Sequence, residues 1–184
     1  MAEKPKRIAF IGAGDIALLH GAAIQTLPGV ELLGVWSIDP RLNEEKATRF
    51  GGEVFESAES LVRDPRVDAV FVLTNLETHV AYARLAMEAG KPVLIEKPLA
   101  ESVAELEALK RCANQNGVLL FPGHNYVYEP ALHRSRELVQ SGRLGDLVAL
   151  YVHYHIHHPE EVARRYPGVV RHLLTHHGYL LAYL

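Results

Sequence analysis

The sequence predicts a doubly wound α/β fold, a parallel sheet with helices on both faces, followed by the beginning of an α+β unit. Three observations carry that reading. Short apolar runs alternate with segments of helical period from Arg7 to about Pro122. The connections between them are short, as crossover helices joining parallel strands require. The run from Val67 to Leu73 is apolar almost throughout, which marks a strand covered on both faces.

The first element is the apolar run Ile8-Ala9-Phe10-Ile11, which passes directly into Gly12-Ala13-Gly14-Asp15-Ile16-Ala17. Two glycines one residue apart allow a tight turn. Ile16, Leu18, Leu19, Ala22 and Ala23 then recur at helical spacing. Strand, glycine turn and helix together present backbone N–H groups at a helix N-terminus, where a pyrophosphate fits. Ala17 fills the third small position of the dinucleotide fingerprint. The competing reading is a strand-to-helix turn with no ligand.

Val30–Ser37 is expected as the second strand. A helix follows from Pro40 to Phe50, with Asp39 as N-cap, Pro40 at the first helical position and Gly51-Gly52 as terminator. Val54-Phe55 is a short third strand, and Ser57 opens a helix that stops near Asp64-Pro65. Val67–Leu73 is the fourth strand, Glu77–Ala89 a helix closed by Gly90, and Val93–Ile95 the fifth strand. Glu101–Asn116 is a helix with Gly117 as its C-cap, and Val118–Phe121 the sixth strand. Beyond Pro122 the texture changes. Tyr128–Ser141 reads as a helix, Leu147–His157 as a long alternating strand, and Val169–Leu184 has helical period. The expected domains are residues 1–122, nucleotide-binding, and residues 123–184, an incomplete second domain.

Bulk properties exclude several classes. The 184 residues carry a formal net charge of −3 with both signs interspersed, so there is no electrostatic footprint for nucleic acid. The single cysteine, Cys112, reads as a small buried helix residue and fits a reducing compartment. The polar, basic Met1–Arg7 segment is no signal peptide, and no apolar stretch reaches membrane-spanning length. A cytoplasmic protein without nucleic-acid or membrane partners is expected.

In a doubly wound sheet, ligands bind beyond the carboxyl ends of the strands. After the second strand stand Ser37, Asp39 and Arg41. A hydroxyl at Ser37 does not repel a 2′-phosphate and Arg41 can pair with one, while Asp39 can reach a ribose or merely cap its helix. The balance leans to NADP over NAD. After the fourth strand stand Thr74, Asn75 and His79. Thr74 and Asn75 suit cofactor contacts, and His79 is either a further contact or a structural residue at a helix N-terminus. After the fifth strand stand Glu96 and Lys97. A lysine desolvated in such a cleft loses basicity, which suits proton transfer coupled to hydride transfer.

Gly12-Ala13-Gly14-Asp15-Ile16-Ala17 with His20, Thr74-Asn75 with His79, and Gly90-Lys91-Pro92-Val93-Leu94-Ile95-Glu96-Lys97-Pro98-Leu99 occur in family order. Together they resemble the glucose–fructose oxidoreductase and inositol dehydrogenase family (Gfo/Idh/MocA). The resemblance implies a Rossmann domain, a C-terminal α/β domain with an open sheet, and hydride exchange between NAD(P) and a sugar, inositol or related polyol. It implies that Lys97 is the catalytic-site lysine. It also places the family histidine at His176, with His172 four positions earlier where an aspartate is usual. Residues four apart share a helix face, so His172 can orient His176 as the general acid/base. Many relatives carry an arginine where Val127 falls. Asn125 and His124 are candidate contacts to nicotinamide or substrate, or simple loop residues. Relatives often pair through their open sheets, so a homo-oligomer through the C-terminal region is expected.

His153, His155 and His157 alternate and are expected on one face of a strand, as a substrate-facing or interface surface or as solvated positions rather than a metal site. No metal is expected. Two alternatives stand beside the dehydrogenase reading. One is a non-catalytic nucleotide-binding or regulatory module, or an inactive fragment, motivated by the incomplete second domain. The other keeps NAD but cleaves a glycoside by transient oxidation, as some relatives do.

Overall fold

The computed structural model of the chain describes residues 4–155, 157, 159–160, 164 and 173–184. They fall into two compact units, Met1–Gly123 and His124–Leu184.

The first unit alternates strands and helices throughout. In order it holds β1 (Lys6–Ile11), α1 (Asp15–Thr26), β2 (Val30–Trp36), α2 (Pro40–Phe50), β3 (Glu53–Val54), α3 (Ala58–Arg63), β4 (Ala69–Val72), α4 (Leu76–Glu88), β5 (Val93–Ile95), α5 (Val103–Asn116) and β6 (Leu120–Pro122). The six strands form one parallel sheet in the order β3-β2-β1-β4-β5-β6. The winding reverses between β1 and β4, and that switch point is where an open α/β sheet forms its ligand crevice.

Strand residues alternate between two cores, as the pleat dictates. Ala9, Ile11, Val70, Val72, Val93 and Ile95 face α3, α4 and α5. Ile8, Phe10 and Leu32 face α1 and α2, where Ala17, Ile24, Ala47 and Phe50 receive them. Each fully buried aliphatic or aromatic side chain contributes about 1.5–3 kcal/mol, so slipping one strand by a residue would exchange both cores at once. Cys112 is buried on α5, as a small core residue.

Helix starts follow local chemistry. Asp39 caps α2 by accepting from the Arg41 N–H, and Pro40 occupies the first helical position. Ser57 with Ser60 caps α3, and Ser102 with Glu105 caps α5, each in a reciprocal capping box. The N-caps of α1 and α4, Gly14 and Asn75, make no side-chain cap bond.

The second unit holds a 3₁₀ turn at Asn125–Tyr128, α6 (Pro130–Gln140) and α7 (Thr175–Tyr183). The helix expected from Tyr128 begins instead at Pro130, because the residue before a proline is driven to extended backbone; Glu129 sits at φ −66°, ψ 128°. The expected strand from Leu147 to His157 is not present among the described residues of that stretch. Val148 and Tyr151 there are 94% and 82% exposed. An alternating pattern becomes a strand only where a neighbouring strand takes up its backbone groups.

Candidate functional site

The glycine turn is shaped by its neighbour across the switch point. The Gly12 N–H donates to the Trp36 carbonyl at 2.8 Å, and the Leu73 N–H donates to the Ile11 carbonyl at 2.8 Å. The first bond ties the turn to the end of β2, and the second brings the end of β4 against it. Gly12 adopts φ +111°, and a Cβ on it would lie 2.6 Å from the Leu73 carbonyl carbon and oxygen. Gly14 differs: nothing lies within 4 Å of where its Cβ would stand. Ala13 is buried and Ile16 packs against a core, so both offer a ligand their backbone rather than their side chains. The first turn of α1, beginning at Asp15, thus has N–H groups with no side-chain acceptor from its N-cap.

At the end of β2, the Ser37 hydroxyl donates to Asn43 Oδ1 at 2.6 Å, and Asn43 Nδ2 donates back to the Ser37 carbonyl at 3.0 Å. Asn43 is buried and was not singled out from the sequence, although a polar residue on the helix face shared with Ala47 and Phe50 was a visible signal. Asp39 accepts from the Arg41 N–H and pairs with its guanidinium at 3.2 Å. The Arg41 side chain and backbone bonds hold the Asp39 carboxyl below the usual carboxylate range.

Thr74 and Asn75 stand after β4, where Thr74 Oγ1 accepts from the Thr78 hydroxyl at 2.8 Å. His79 lies in the first turn of α4. Its ring nitrogens lie 2.8 Å from the Pro98 carbonyl and 2.9 Å from the Thr74 carbonyl, and the residue is 2% exposed. Both ring nitrogens face backbone carbonyls, so His79 ties the end of β4 to the loop after β5, the structural role that stood beside a cofactor contact.

Glu96, a candidate cofactor contact by its place after β5, is tied to two other groups. Its Oε1 lies 2.8 Å from His20 Nε2, and its Oε2 accepts the Lys97 N–H at 3.0 Å. Burial pushes the Glu96 carboxyl up, but the His20 hydrogen bond and charge, with the Lys97 N–H and ammonium, outweigh it and hold it below the usual range. Lys97 moves down from the ordinary lysine value because burial disfavours its charge, partly offset by Glu96. His20 was quoted in the sequence motif without a role. Its position three after buried Ala17 and four before buried Ile24 already aimed it inward.

In the second unit His176 is 8% exposed, its Nδ1 lies 2.6 Å from the Tyr179 hydroxyl, and the Tyr126 ring stacks on it at 4.2 Å. Tyr154 hydrogen-bonds the Tyr126 hydroxyl at 3.2 Å, and this bond, with burial, pushes Tyr126 up to about 12. Asn125 Oδ1 lies 3.5 Å from the Tyr179 hydroxyl. Tyr126 and Tyr179 went unremarked as partners of His176, although Tyr179 is one helical turn away. His172 lies outside the described residues. His153, His155 and His157 are exposed and share no strand face, because the strand is not present there.

Within the first unit, Gly12 to Ile16, Ser37, Asp39, Arg41, Thr74, Asn75 and Lys97 thus all follow the carboxyl ends of adjacent parallel strands. A surface groove of about 470 Å³ lies elsewhere, lined by Ile24, Val30, Leu33 and Phe50 where β2 and β3 begin. No helix among the described residues is long and apolar enough to cross a membrane. No group of three or more His, Cys, Asp or Glu among them is placed to hold a metal.

Residues 6–124 match the model of the oxidoreductase family with an NAD-binding Rossmann fold, GFO_IDH_MocA. Glucose-6-phosphate 3-dehydrogenase of Bacillus subtilis (strain 168) is 32% identical over 149 residues, 81% of this chain and 42% of that protein. The NADP(+)-dependent scyllo-inositol 2-dehydrogenase of the same organism is 29% identical over 159 residues, 86% of this chain and 44% of its own length. The crystal structure of GenD2 from gentamicin A biosynthesis, in complex with NAD, is 33% identical with a TM-score of 0.73, covering 77% of this chain and 40% of that one. This chain spans about two fifths of the length of such curated relatives.

Proposed function

Because this chain belongs to the Gfo/Idh/MocA oxidoreductase family, whose NAD-binding Rossmann fold it carries over residues 6–124, we propose that it is the cofactor-binding part of an NAD(P)-dependent dehydrogenase acting on a hydroxyl or carbonyl carbon of a sugar, inositol or related polyol. One observation carries the reading. The two helices of the first unit that lack a side-chain N-cap bond, α1 and α4, are those that follow β1 and β4, the strands flanking the switch point. Elsewhere in that sheet α2, α3 and α5 are capped. N-termini without a side-chain cap, each at the positive end of a helix dipole, suit the phosphates and polar groups of a dinucleotide.

The residues fit the cofactor. Gly14 leaves open space at the α1 N-terminus for close backbone approach. Thr74 and Asn75 supply polar groups after β4. Ser37 and Asp39 stand at the ribose position, and Arg41 is the group a 2′-phosphate would recruit from its pairing with Asp39, which supports a lean to NADP. When bound, the dinucleotide supplies the ring that gives or takes the hydride. Lys97, half-buried and less basic than an ordinary lysine, holds or takes the substrate hydroxyl proton. His176, held by Tyr179, is the proposed family acid/base, with Asn125 beside Tyr179, and the role proposed for His172 is to orient it. Residues 123–184 begin the substrate domain, whose exposed apolar residues Val148 and Tyr151 support pairing with a second copy. The setting is cytoplasmic.

Calorimetry of the chain with NAD and with NADP tests the reading. Binding of at least one is expected, with Arg41→Ala weakening NADP more than NAD; binding of neither at millimolar concentration overturns it. Lys97→Ala is expected to leave cofactor affinity nearly intact. With the substrate domain present, it should lower sugar or inositol turnover by about a hundredfold or more, followed at the nicotinamide absorbance.

A further inference from the structure

His20 has a chemistry that the proposed function leaves unused. Its ring stands edge-on to Phe10 of β1 and Phe71 of β4, with centroids 6.4 and 5.4 Å away. Its Nε2 meets Glu96 Oε1 at 2.8 Å, and the two side chains are only 21% and 13% exposed. The ring is therefore held by two strands while its partner comes from the end of a third.

The carboxylate is confined from the other side as well. A Cβ on Gly123, just past β6, would lie 3.2 Å from Glu96 Cα and 3.3 Å from its carboxyl carbon. Oε1 meets His20 and Oε2 accepts the Lys97 N–H, so each oxygen has a partner that fixes its direction. The ammonium of Lys97, the next residue, is a cation close enough for each charge to favour the other.

We infer that His20 is a positioning residue for Lys97: it holds the Glu96 carboxylate against α1 and so keeps it from closing onto the lysine ammonium. The inference rests on the reading of Lys97 as the proton-handling group. A lysine clamped by its neighbour's carboxylate is more basic and is turned away from substrate, whereas a carboxylate held on His20 only partly offsets the effect of burial. His20 thereby couples α1, which receives the cofactor in the proposed function, to the loop that carries Lys97.

The test is the titration of Lys97, followed in the full chain by NMR of ¹³C-labelled lysine and assigned by the signal lost in Lys97→Arg. His20→Phe keeps an aromatic ring between Phe10 and Phe71 but removes the N–H donor. His20→Gln keeps a donor for Glu96 and removes the ring. The expected result is a rise of the Lys97 midpoint by about one pH unit or more in His20→Phe, with His20→Gln close to the parent chain. An unchanged or lowered midpoint in His20→Phe, or equal movement in both variants, overturns the inference and leaves His20 a packing residue. Should His20→Phe fail to fold, His20→Met is read by the same criteria. NAD(P) binding measured on the same samples separates the two claims: a parent chain that binds neither cofactor overturns the proposed function, while the Lys97 midpoints still decide the role of His20.

Discussion

In the first unit Phe10, Ile11, Val70, Val72 and Ile95 are wholly shut from solvent, whereas among the described residues of the second unit only His176 and Leu180 are buried. Both stretches carry apolar residues at strand and helix spacing. The difference lies in partners. Every strand of the first unit has a parallel neighbour, and the central strands β1, β4 and β5 are paired on both sides, with buried residues facing helices on either face of the sheet. Residues 147–155 have the alternation without a neighbouring strand, and they form none. Pattern proposes an element, and pairing realises it.

The largest test of that comparison is core truncation. Phe10→Ala is expected to destabilise the first unit by about 3–5 kcal/mol, as for other buried phenylalanines. Val148→Ala, at a position 94% exposed, is expected to change stability by less than about 0.5 kcal/mol. Urea denaturation followed by the fluorescence of Trp36 reads both, and equal effects would break the comparison.

The two turn glycines sharpen it at the site. Gly12→Ala places a Cβ 2.6 Å from the Leu73 backbone at φ +111°. It is expected to cost roughly 1–3 kcal/mol or more through strain and collision, and to abolish cofactor binding. Gly14→Ala meets nothing within 4 Å at φ −72°. Its stability is expected to stay within about 0.5 kcal/mol of the parent while cofactor affinity falls. Thermal melts with and without NAD(P) separate the two. If Gly14→Ala bound as tightly as the parent, the backbone approach at α1 would have no role in binding.

The smallest effects are in pH. Glu96 has a folded value below its unfolded one, so its stabilisation is complete above the ordinary carboxyl range and is lost as pH falls through the lowered folded value. Lys97 is also lowered on folding, by burial. The unfolded chain then holds that proton to higher pH, so stability climbs as pH rises from the folded value toward the ordinary lysine range. Denaturation midpoints across pH should show a shallower acid limb in Glu96→Gln and a flatter alkaline rise in Lys97→Met. An acid limb unchanged in Glu96→Gln would remove the His20–Glu96 pair from the stability of the fold.

Much of the first unit was legible because its signals are local. Asp39-Pro40, Ser57 and Ser102 mark helix starts through bonds that span two or three residues. Gly51 and Gly117 mark ends through left-handed backbone. The strand ends that bring Thr74, Asn75 and Lys97 to one edge followed from winding direction alone. The hydrogen bonds of His79 and Glu96 were not legible for the opposite reason. Their partners, Pro98 for one and His20 for the other, lie 19 and 76 residues away, and proximity to a strand end says nothing about where a side chain's hydrogen bonds go.

The sequence by itself therefore determined the alternation of strands and helices, the glycine turn and the edge at which polar residues gather. Periodicity and capping act within a few residues, and the handedness of crossover connections does the rest. Only the tertiary structure decided why position 12 must be glycine, which helices keep uncapped N-termini beside the switch point, and that Glu96 turns to His20. Each of these depends on atoms brought together across the sheet, where close approach and burial leave a polar group one partner or none.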